Sequence, residues 1–303
     1  MAFTLRQLRY FVAVAERGSV SGAAQALSIS QSAVTEAIKE LEGDLGVVLF
    51  ERHARGLAVT QKGQSFLRHA TKILGDVSDA RRALGEDESA APGQLALGVT
   101  ALVAGYVLSD LLARYRRAFP GVKVSAIEDT GDYLEHLLVG GELDVAVMVT
   151  SNLRDRMALT TDLIERSPYR LWTPLGHRLA GRAAVSIDEV AGEPLIMLTI
   201  DEIEENTAKL MTALGRKLDI AFRTRSVEAV RSLVATGAGV AILPELVYRP
   251  WSLEGDRIEM REIEGDMPAV QVGMAWRRGS GLTRAARDFI DLAQTQRGAR
   301  GRT

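Results

Sequence analysis

The sequence predicts an α/β protein in which a helical amino-terminal part precedes a longer part of alternating strands and helices. Three observations lead to this prediction. Apolar residues recur at helical spacing over residues 5–45, a heptad pattern runs through residues 61–87, and short apolar runs alternate with helical segments beyond residue 95. With 303 residues the chain can form about two domains, or three.

The composition excludes several classes of protein. Hydrophobic residues make up 47% and charged residues 25% of the chain, as in a folded globular protein rather than a disordered or collagen-like one. The chain contains no cysteine, which rules out disulfides, iron–sulfur clusters, thiol catalysis and cysteine zinc sites. The 37 basic and 39 acidic side chains nearly cancel, so a surface for nucleic acid must be a local patch.

Three helices are predicted before residue 46. The first covers residues 5–16, where apolar side chains fall on one face, and Gly18 ends it. The second, GAAQALSI, can be capped by Ser19 or Ser21, and the third, QSAVTEAIKELEGDLG, by Ser30. Four apolar residues of the third helix are expected to point inward: Val34, Ala37, Ile38 and Leu41. Two short helices joined by a tight turn fit a helix-turn-helix, although a generic three-helix bundle fits equally well.

A hairpin follows the three helices. Short apolar stretches at Val47–Phe50 and Leu57–Thr60 flank residues 51–56, which predicts a two-stranded hairpin with a basic tip that holds Arg52 and Arg55. Such a wing can lie along a phosphate backbone or reach into a minor groove. The hairpin therefore favours the helix-turn-helix over the generic bundle.

A long helix is predicted from its cap at Thr60 to about residue 87. Its apolar positions alternate spacings of four and three, as in a heptad repeat: Phe66, Ala70, Ile73, Val77, Ala80 and Leu84. This seam predicts a dimeric coiled coil. A helix packed against its own domain would show the same pattern and stays open as the alternative.

Residues 5–67 resemble the DNA-binding domain of the LysR-type transcriptional regulators. The resemblance rests on LRQLRYFVAVAERGSVSGAAQALSISQSAVTEAIKELEGDLGVVLFER, followed by GLAVTQKGQSFL. It implies a winged helix-turn-helix, a dimerising linker helix and a ligand-responsive carboxyl-terminal domain. With the polar break ESAAPGQ as a hinge, the expected domains are 1–60, 61–87 for the linker helix, 88–94 for the hinge and 95–303 for the effector domain.

The start of the third helix carries the candidate base-reading residues. Gln31, Ser32 and Thr35 stand at positions i, i+1 and i+4 and can face a major groove, where Gln31 could contact adenine through two hydrogen bonds. Arg52 and Arg55 are expected on phosphate or in the minor groove.

One departure from the family pattern concerns charge. Glu36 stands where the family often has a basic residue. Residues 1–75 carry nine basic and six acidic side chains, a net charge of +3, so non-specific DNA binding should be weak.

The part beyond residue 95 predicts a parallel sheet with helices on both faces. The strands LALGVT, VKVSAIE and DVAVMV alternate with helices. The strands YRLWT, PLIML, AFRTR and GVAILP follow with helices near 205–217 and 226–236, and then come VQVGMAW and a helix at 282–296. We expect two lobes, one of about residues 95–165 and 269–297 and one of about 166–268.

The resemblance extends to this part, since the family's effector domain is itself similar to periplasmic solute-binding proteins. It implies two crossovers between the lobes and a ligand cleft. Ligands of such sheets bind beyond the carboxyl ends of the strands. The candidate ligand-binding residues at these ends are Thr100, Ala101, Leu102, Thr130, Val149, Thr199 and Asp201. For each threonine, an ordinary helix cap is the alternative.

The expected ligand contains a carboxylate together with a hydrogen-bond donor, such as an amino acid or an aromatic amine derivative. Helix amino termini favour the carboxylate. An acidic cluster would favour the donor if it faces the cleft, and otherwise it is a solvated first helical turn: Asp201, Glu202, Glu204 and Glu205.

No pattern of an enzyme is present. The four histidines do not pair at metal-ligand spacing, and the sequence contains no HExxH, G-x-S-x-G, GxxxxGK[ST] or G-x-G-x-x-G. We therefore expect no catalytic residue, metal or cofactor.

The expected partners are double-stranded promoter DNA, a small-molecule effector, the chain itself as a homodimer or homotetramer, and RNA polymerase. We expect a cytoplasmic protein with no membrane partner, because neither a signal peptide nor a bilayer-length apolar run is visible. A solute-binding protein and an α/β enzyme that uses the cleft are the alternatives.

Overall fold

The computed structural model describes residues 3–27, 29–53, 56–85, 93–200, 203–213, 219–265 and 267–300. The chain divides into two compact units. The first comprises residues 1–91 with two short later segments, 136–143 and 279–281, and the second comprises the remainder.

Three capped helices open the first unit: α1 (Leu5–Arg17), α2 (Val20–Ala26) and α3 (Gln31–Leu45). The hydroxyl of Ser19 accepts a hydrogen bond from the Gly22 N–H at 3.1 Å, and that of Ser30 accepts one from the Ala33 N–H at 3.2 Å. Each cap satisfies an N–H that has no partner within its helix. Ser30 was the predicted cap of α3 and Ser19 one of two candidates for α2, and Gly18 ends α1 with a positive φ of 61° as expected.

The first strand of the hairpin begins later in the chain than the sequence suggested. Its strands are β1 (Phe50–His53) and β2 (Gly56–Val59), which pair antiparallel. The Glu42 carboxylate accepts hydrogen bonds from the N–H groups of Leu49 at 2.6 Å and Phe50 at 3.2 Å, and so holds the preceding segment as a connection. The prediction of a strand at Val47–Phe50 is wrong for this reason.

The long helix α4 (Gln61–Gly85) packs against its own unit over its first turns. Thr60 caps it as predicted, accepting a hydrogen bond from the Gly63 N–H at 3.0 Å. A Cβ on Gly63 would lie 2.3 Å from the Leu49 carbonyl oxygen, so only glycine lets the helix approach this closely. The Phe66 ring lies 5.2 Å from that of Phe11, and Ala70 is fully buried.

The buried side of these helices forms the core of the first unit. The four residues predicted to point inward from α3 are indeed buried: Val34, Ala37, Ile38 and Leu41. Leu8, Phe11 and Leu49 are fully buried beside most of them. The opposite side of α3 is therefore free of any packing role.

The second unit begins with parallel strands, as predicted. The strands β3 (Gln94–Val99), β4 (Lys123–Glu128) and β5 (Val145–Val149) lie in the order β4-β3-β5. The last strand, β12 (Ala269–Arg277), returns to pair antiparallel with β5. The expected return of the chain to the first lobe is confirmed.

One long strand, β6 (Leu159–Pro174), connects the two halves of this unit. Residues 159–168 pair with β12, and residues 169–174 pair with β10 (Ala241–Pro244) and β11 (Ile258–Ile263). A parallel pair, β8 (Leu195–Leu198) and β9 (Ile220–Thr224), and the short β7 (Ala184–Val185) complete the strands that the structure describes. The antiparallel pairings and β11 were not predicted. The sequence of β11, IEMREI, is polar between its buried ends, which hides it.

The helices of the second unit follow the strands. They are α5 (Ala101–Val103), a π-helical segment (Ala104–Leu108), α6 (Ser109–Ala118), α7 (Gly131–Gly140), α8 (Ile187–Val190), α9 (Ile203–Ala213), α10 (Val227–Ala235), a 3₁₀ turn (Glu245–Val247) and α11 (Arg284–Arg300). Tyr115 of α6 is fully buried against Phe289 of α11 and donates a hydrogen bond to the Ala285 carbonyl at 2.8 Å. Burial raises the pKa of Tyr115 to about 12, so this phenol stays a donor. No described helix is both long and apolar enough to cross a membrane.

Candidate functional site

One face of α3 is exposed and polar. Gln31, Ser32 and Thr35 all lie on this face, and so does Glu36. The structure therefore brings the three residues singled out from the sequence together on one surface, next to the Glu36 carboxylate. A helix that presents such a face fits the width of a major groove.

The hydrogen bonds of this face differ from residue to residue. The Thr35 hydroxyl donates to the Gln31 carbonyl at 2.8 Å, and the Ser32 and Ser30 hydroxyls lie 3.0 Å apart. The Gln31 side-chain amide has no hydrogen-bond partner among the described residues. Gln31 is therefore the side chain of this face that is free to pair both its donor and its acceptor with a base edge.

Two acidic residues of α3, Glu40 and Glu42, form hydrogen bonds inside the unit. Glu40 accepts a hydrogen bond from the Gln7 side chain at 2.9 Å, and Glu42 holds the N–H groups that precede β1. Glu36 is exposed and makes no such contact with the residues that the structure describes. The departure from the family's charge pattern is thus concentrated at Glu36.

The structure describes some, but not all, of the residues predicted for the wing and for the dimerisation seam of α4. Arg52 lies within β1, opposite Leu57 rather than at the tip, and Arg55 lies outside the described residues. Ala70 has no exposed surface for a second subunit, so its assignment to the seam is wrong. Phe66 and Ile73 also pack on the core of their own unit.

The later part of the seam is less engaged. Val77 is half-buried, Ala80 is exposed, and Leu84 belongs to the last turn of α4. Val77 and Ala80 are therefore seam positions with described side chains that lie outside the core of the first unit.

A cavity of about 530 Å³ lies in the second unit at the carboxyl ends of β3, β4 and β8. We call it the effector cavity. Its lining residues are Ala101, Glu128, Asp129, Thr130, Gly131, Asp132, Arg154, Thr199, Ile200 and Arg225. Three of the seven predicted ligand-binding residues, Ala101, Thr130 and Thr199, are among them.

Three of the other predicted ligand-binding residues do not line this cavity. Leu102 and Val149 are 1% and 2% exposed and belong to the hydrophobic core, because α5 turns Leu102 inward and both faces of β5 are covered. Assigning them to the ligand is wrong. Thr100 is 2% exposed, and its hydroxyl neither caps α5 nor has another partner among the described residues. Asp201 lies outside the described residues.

The effector cavity carries both signs of charge. Arg154 and Asp132 form an ion pair with 2.7 Å between Nη2 and Oδ2. The Asp129 carboxylate accepts a hydrogen bond from the Thr130 N–H at 2.8 Å. Neither Arg225 nor Glu128 forms an ion pair with any residue that the structure describes. Three carboxylates and two guanidinium groups therefore surround one cavity.

A buried carboxylate supports the loop that carries Arg154. Glu135 is 7% exposed and accepts hydrogen bonds from the N–H groups of Arg154, at 3.1 Å, and Asp155, at 2.9 Å. Burial raises the pKa of Glu135, and the two hydrogen bonds counteract part of that rise. This residue positions the loop without lining the cavity.

The sequence analysis missed the charged lining residues. Glu128-Asp129-Thr130 follows β4 directly, so its position at a strand end was a usable signal. Arg154 and Arg225 reach the cavity only through the folding of separate segments, and no local pattern marks them.

Comparisons with known proteins agree with this architecture. The profile of the bacterial regulatory helix-turn-helix protein, lysR family, matches residues 5–64, and that of the LysR substrate binding domain matches residues 89–298. A probable hydrogen peroxide-inducible genes activator from Mycobacterium avium is 30% identical over 295 residues, which are 95% of this chain and 93% of that protein.

Two crystal structures show the same fold. HinK, a LysR family transcriptional regulator from Pseudomonas aeruginosa, is similar with a TM-score of 0.64 and 30% identity, covering 98% of this chain and 100% of that chain. Full-length CbnR in complex with its target DNA has a TM-score of 0.56 and 24% identity, covering 97% of this chain and 99% of that chain.

A helix-turn-helix with a wing, joined to an α/β unit with a polar cavity, defines a bacterial DNA-binding regulator with a substrate-binding domain. The chain belongs to the LysR family of transcriptional regulators. Members of this family act as regulators of transcription rather than as enzymes.

Proposed function

We propose that the chain reads promoter DNA through Gln31, Ser32 and Thr35 of α3 and responds to a small molecule held in the effector cavity. The observation that carries the proposal is the effector cavity itself, which collects three predicted positions from the carboxyl ends of separate strands. Occupation of the cavity changes the geometry of the oligomer on DNA and thereby transcription.

The charges of the cavity favour a ligand that carries both a carboxylate and an ammonium or similar donor. Arg225 is the guanidinium free to bind the carboxylate, since Arg154 is paired with Asp132. Glu128 and Asp129 are available to an ammonium group. An amino acid or an aromatic amine derivative, the ligand class expected from the sequence, fits these groups. That expectation was based on a different cluster of acidic residues.

The relatives named as hydrogen peroxide-inducible activators suggest a different signal, which the chemistry of this chain does not support. Peroxide acts on a protein chiefly by oxidising a cysteine thiolate. The sequence contains no cysteine. We therefore propose that the protein responds to a bound small molecule.

Calorimetric titration of the full chain tests the ligand class. An amino acid and the matching carboxylic acid without its amino group serve as the two probes across a set of side chains. We expect Arg225→Gln to weaken the binding of both probes and Asp129→Asn to weaken the amino acid alone. Unchanged selectivity in Asp129→Asn would contradict the class, and no saturable binding of any probe would contradict the cavity as the effector site.

The proposed partners follow from the same architecture. We infer a homodimer through the carboxyl-terminal part of α4, or a homotetramer built from such dimers, on double-stranded promoter DNA. RNA polymerase is a further proposed partner. A gel-shift assay with DNA from upstream of the protein's own gene tests the DNA partner directly.

A further inference from the structure

A second cavity lies in the same unit, beside the loop that connects β5 to β6. Its volume is about 310 Å³, and its polar lining comes from Thr150, Ser151, Arg156, Thr161, Gln271 and Arg278, beside two leucines. It has no lining residue in common with the effector cavity. The inference below does not depend on what the effector cavity binds.

Two guanidinium groups meet at this second cavity without a counter-ion among the described residues. Arg278 donates hydrogen bonds to the carbonyl oxygens of Met157 at 3.0 Å and Leu159 at 2.9 Å, and Arg156 donates to the Ser151 carbonyl. No carboxylate lines the cavity, and neither arginine forms an ion pair with any described residue. Carbonyl dipoles alone therefore stand opposite two full positive charges.

Hydroxyl and amide groups accompany the two charges. The Ser151 hydroxyl is buried and has no hydrogen-bond partner among the described residues, which is a state that folded proteins rarely leave uncompensated. Thr161 and Gln271 are exposed on neighbouring strands of the sheet. Guanidinium and hydroxyl donors in this combination suit the oxygen atoms of an anion.

The backbone beneath the loop is shaped for close approach. A Cβ on Gly273 of β12 would lie 2.5 Å from the Asp162 carbonyl oxygen and 3.1 Å from Thr150. Thr150 can therefore lie directly over the strand, where its hydroxyl donates to the Gln271 carbonyl at 3.2 Å. The position of the loop is thus fixed by packing as well as by the hydrogen bonds of Arg278.

We propose that this cavity is a second ligand site, which binds a small oxyanion, a phosphate or a carboxylate, through Arg156 and Arg278. Its volume is at the lower end of the range for small-molecule sites, so the ligand is a compact one. The bound anion connects the loop after β5 to β6 and β12. Because β6 joins both halves of the unit, a ligand at this site can act on the same domain as the ligand of the effector cavity.

The test uses the full chain and isothermal titration with two probes, inorganic phosphate and malonate, with sodium chloride adjusted to keep the ionic strength constant. We expect saturable binding of at least one probe to the wild type. The probe that binds, or displaces the other in competition, identifies the anion as a phosphate or a carboxylate.

Three variants locate the anion. Arg156→Gln should weaken binding about tenfold, because a charge-assisted hydrogen bond is lost. Gln271→Glu keeps the side-chain shape and should weaken binding at least as much by repulsion. Arg287→Gln changes an exposed arginine of α11 that lines neither cavity, and should leave binding unchanged.

The fold of each variant is checked by its thermal melting curve. Arg156 and Gln271 are both exposed, so neither change should prevent folding. The proposal is overturned if neither probe binds the wild type saturably. It is also overturned if Arg156→Gln and Gln271→Glu bind as the wild type does, or if Arg287→Gln weakens binding as much as they do.

Discussion

The two units of this protein present their candidate sites in different ways. In the first, the site is the exposed face of one helix, and its residues lie within six positions of one another in the sequence. In the second, the effector cavity collects residues from Ala101 to Arg225. A site on a single helix follows from local periodicity, whereas a site in a cavity exists only after distant segments have packed together.

Burial separates the two kinds of site further. Gln31, Ser32 and Thr35 are exposed, so changing them should alter DNA binding and leave folding intact. The residues that shape the effector cavity include buried ones such as Glu135, whose replacement also affects stability.

Phe11→Ala should produce the largest loss, about 3–5 kcal/mol of unfolding free energy in the first unit, because a fully buried ring is removed from its contacts with Phe50 and Phe66. Amide hydrogen exchange of α1 to α4 measures the loss. Leu5→Ala, on the same helix but 39% exposed, is the matched control and should cost far less. Equal losses in the two variants would contradict the described core.

Ala80→Asp tests the proposed dimer. If Ala80 lies between two copies of α4, an unpaired carboxylate there should weaken dimerisation by about 3 kcal/mol or more. Sedimentation of the full chain measures the effect. Ala80 is a cleaner probe than Ile73, because Ile73 packs on its own unit.

Gln64→Asp serves as the control for that experiment. It introduces the same charge at an exposed position in the first turns of α4 and should leave the oligomer unchanged. A wild-type degree of association in Ala80→Asp would remove the carboxyl-terminal part of α4 from the interface.

Gln31→Ala tests base reading. It should cost about 1–3 kcal/mol on the specific site, confined to one base pair, and almost nothing on random DNA. Fluorescence anisotropy with specific and scrambled duplexes measures both affinities. The same loss on both duplexes would place Gln31 on the backbone of the DNA instead.

Glu135→Gln should have the smallest effect and change how stability depends on pH. The raised pKa of Glu135 means that folding favours its protonated form. The stability that Glu135 contributes is therefore fully present below the pKa of this carboxyl in the unfolded chain and is lost as the pH rises through its pKa in the folded chain. Its size is about 1.4 kcal/mol for each unit between the two pKa values.

Urea denaturation of the wild type and Glu135→Gln between pH 4 and pH 8 measures this difference. The wild type should lose stability relative to the variant as the pH rises over the interval between the two pKa values. If the wild type instead gains stability relative to the variant over that interval, the hydrogen bonds from Arg154 and Asp155 lower the pKa of Glu135 by more than burial raises it.

The helices of the first unit show how far sequence reasoning reaches. The caps at Ser30 and Thr60 and the inward face of α3 were predicted, and Ser19 was one of two candidates for the cap of α2, because each depends on residues within one or two helical turns. The start of β1 was missed, since it depends on a carboxylate of α3, Glu42, that holds a later segment.

The seam of α4 shows where periodicity alone is insufficient. A stripe of apolar residues indicates that one helical face is buried, and it does not indicate by what. The aromatic contacts of Phe66 and the complete burial of Ala70 assign the early part of the stripe to the unit's own core. The family assignment did not require this distinction.

The order of the helices and of most strands and the polar face of α3 follow from local spacing and capping, and the class of protein follows from the resemblance of residues 5–67 to a known family. Which strand ends form the effector cavity, which arginines reach the two cavities and which apolar residues stay buried depend on the tertiary structure. Charged groups that line one cavity, and side chains that become buried together, come from segments far apart in the chain. Examples are the contacts of Asp132 with Arg154 and of Leu159 with Arg278, which no local sequence pattern predicts.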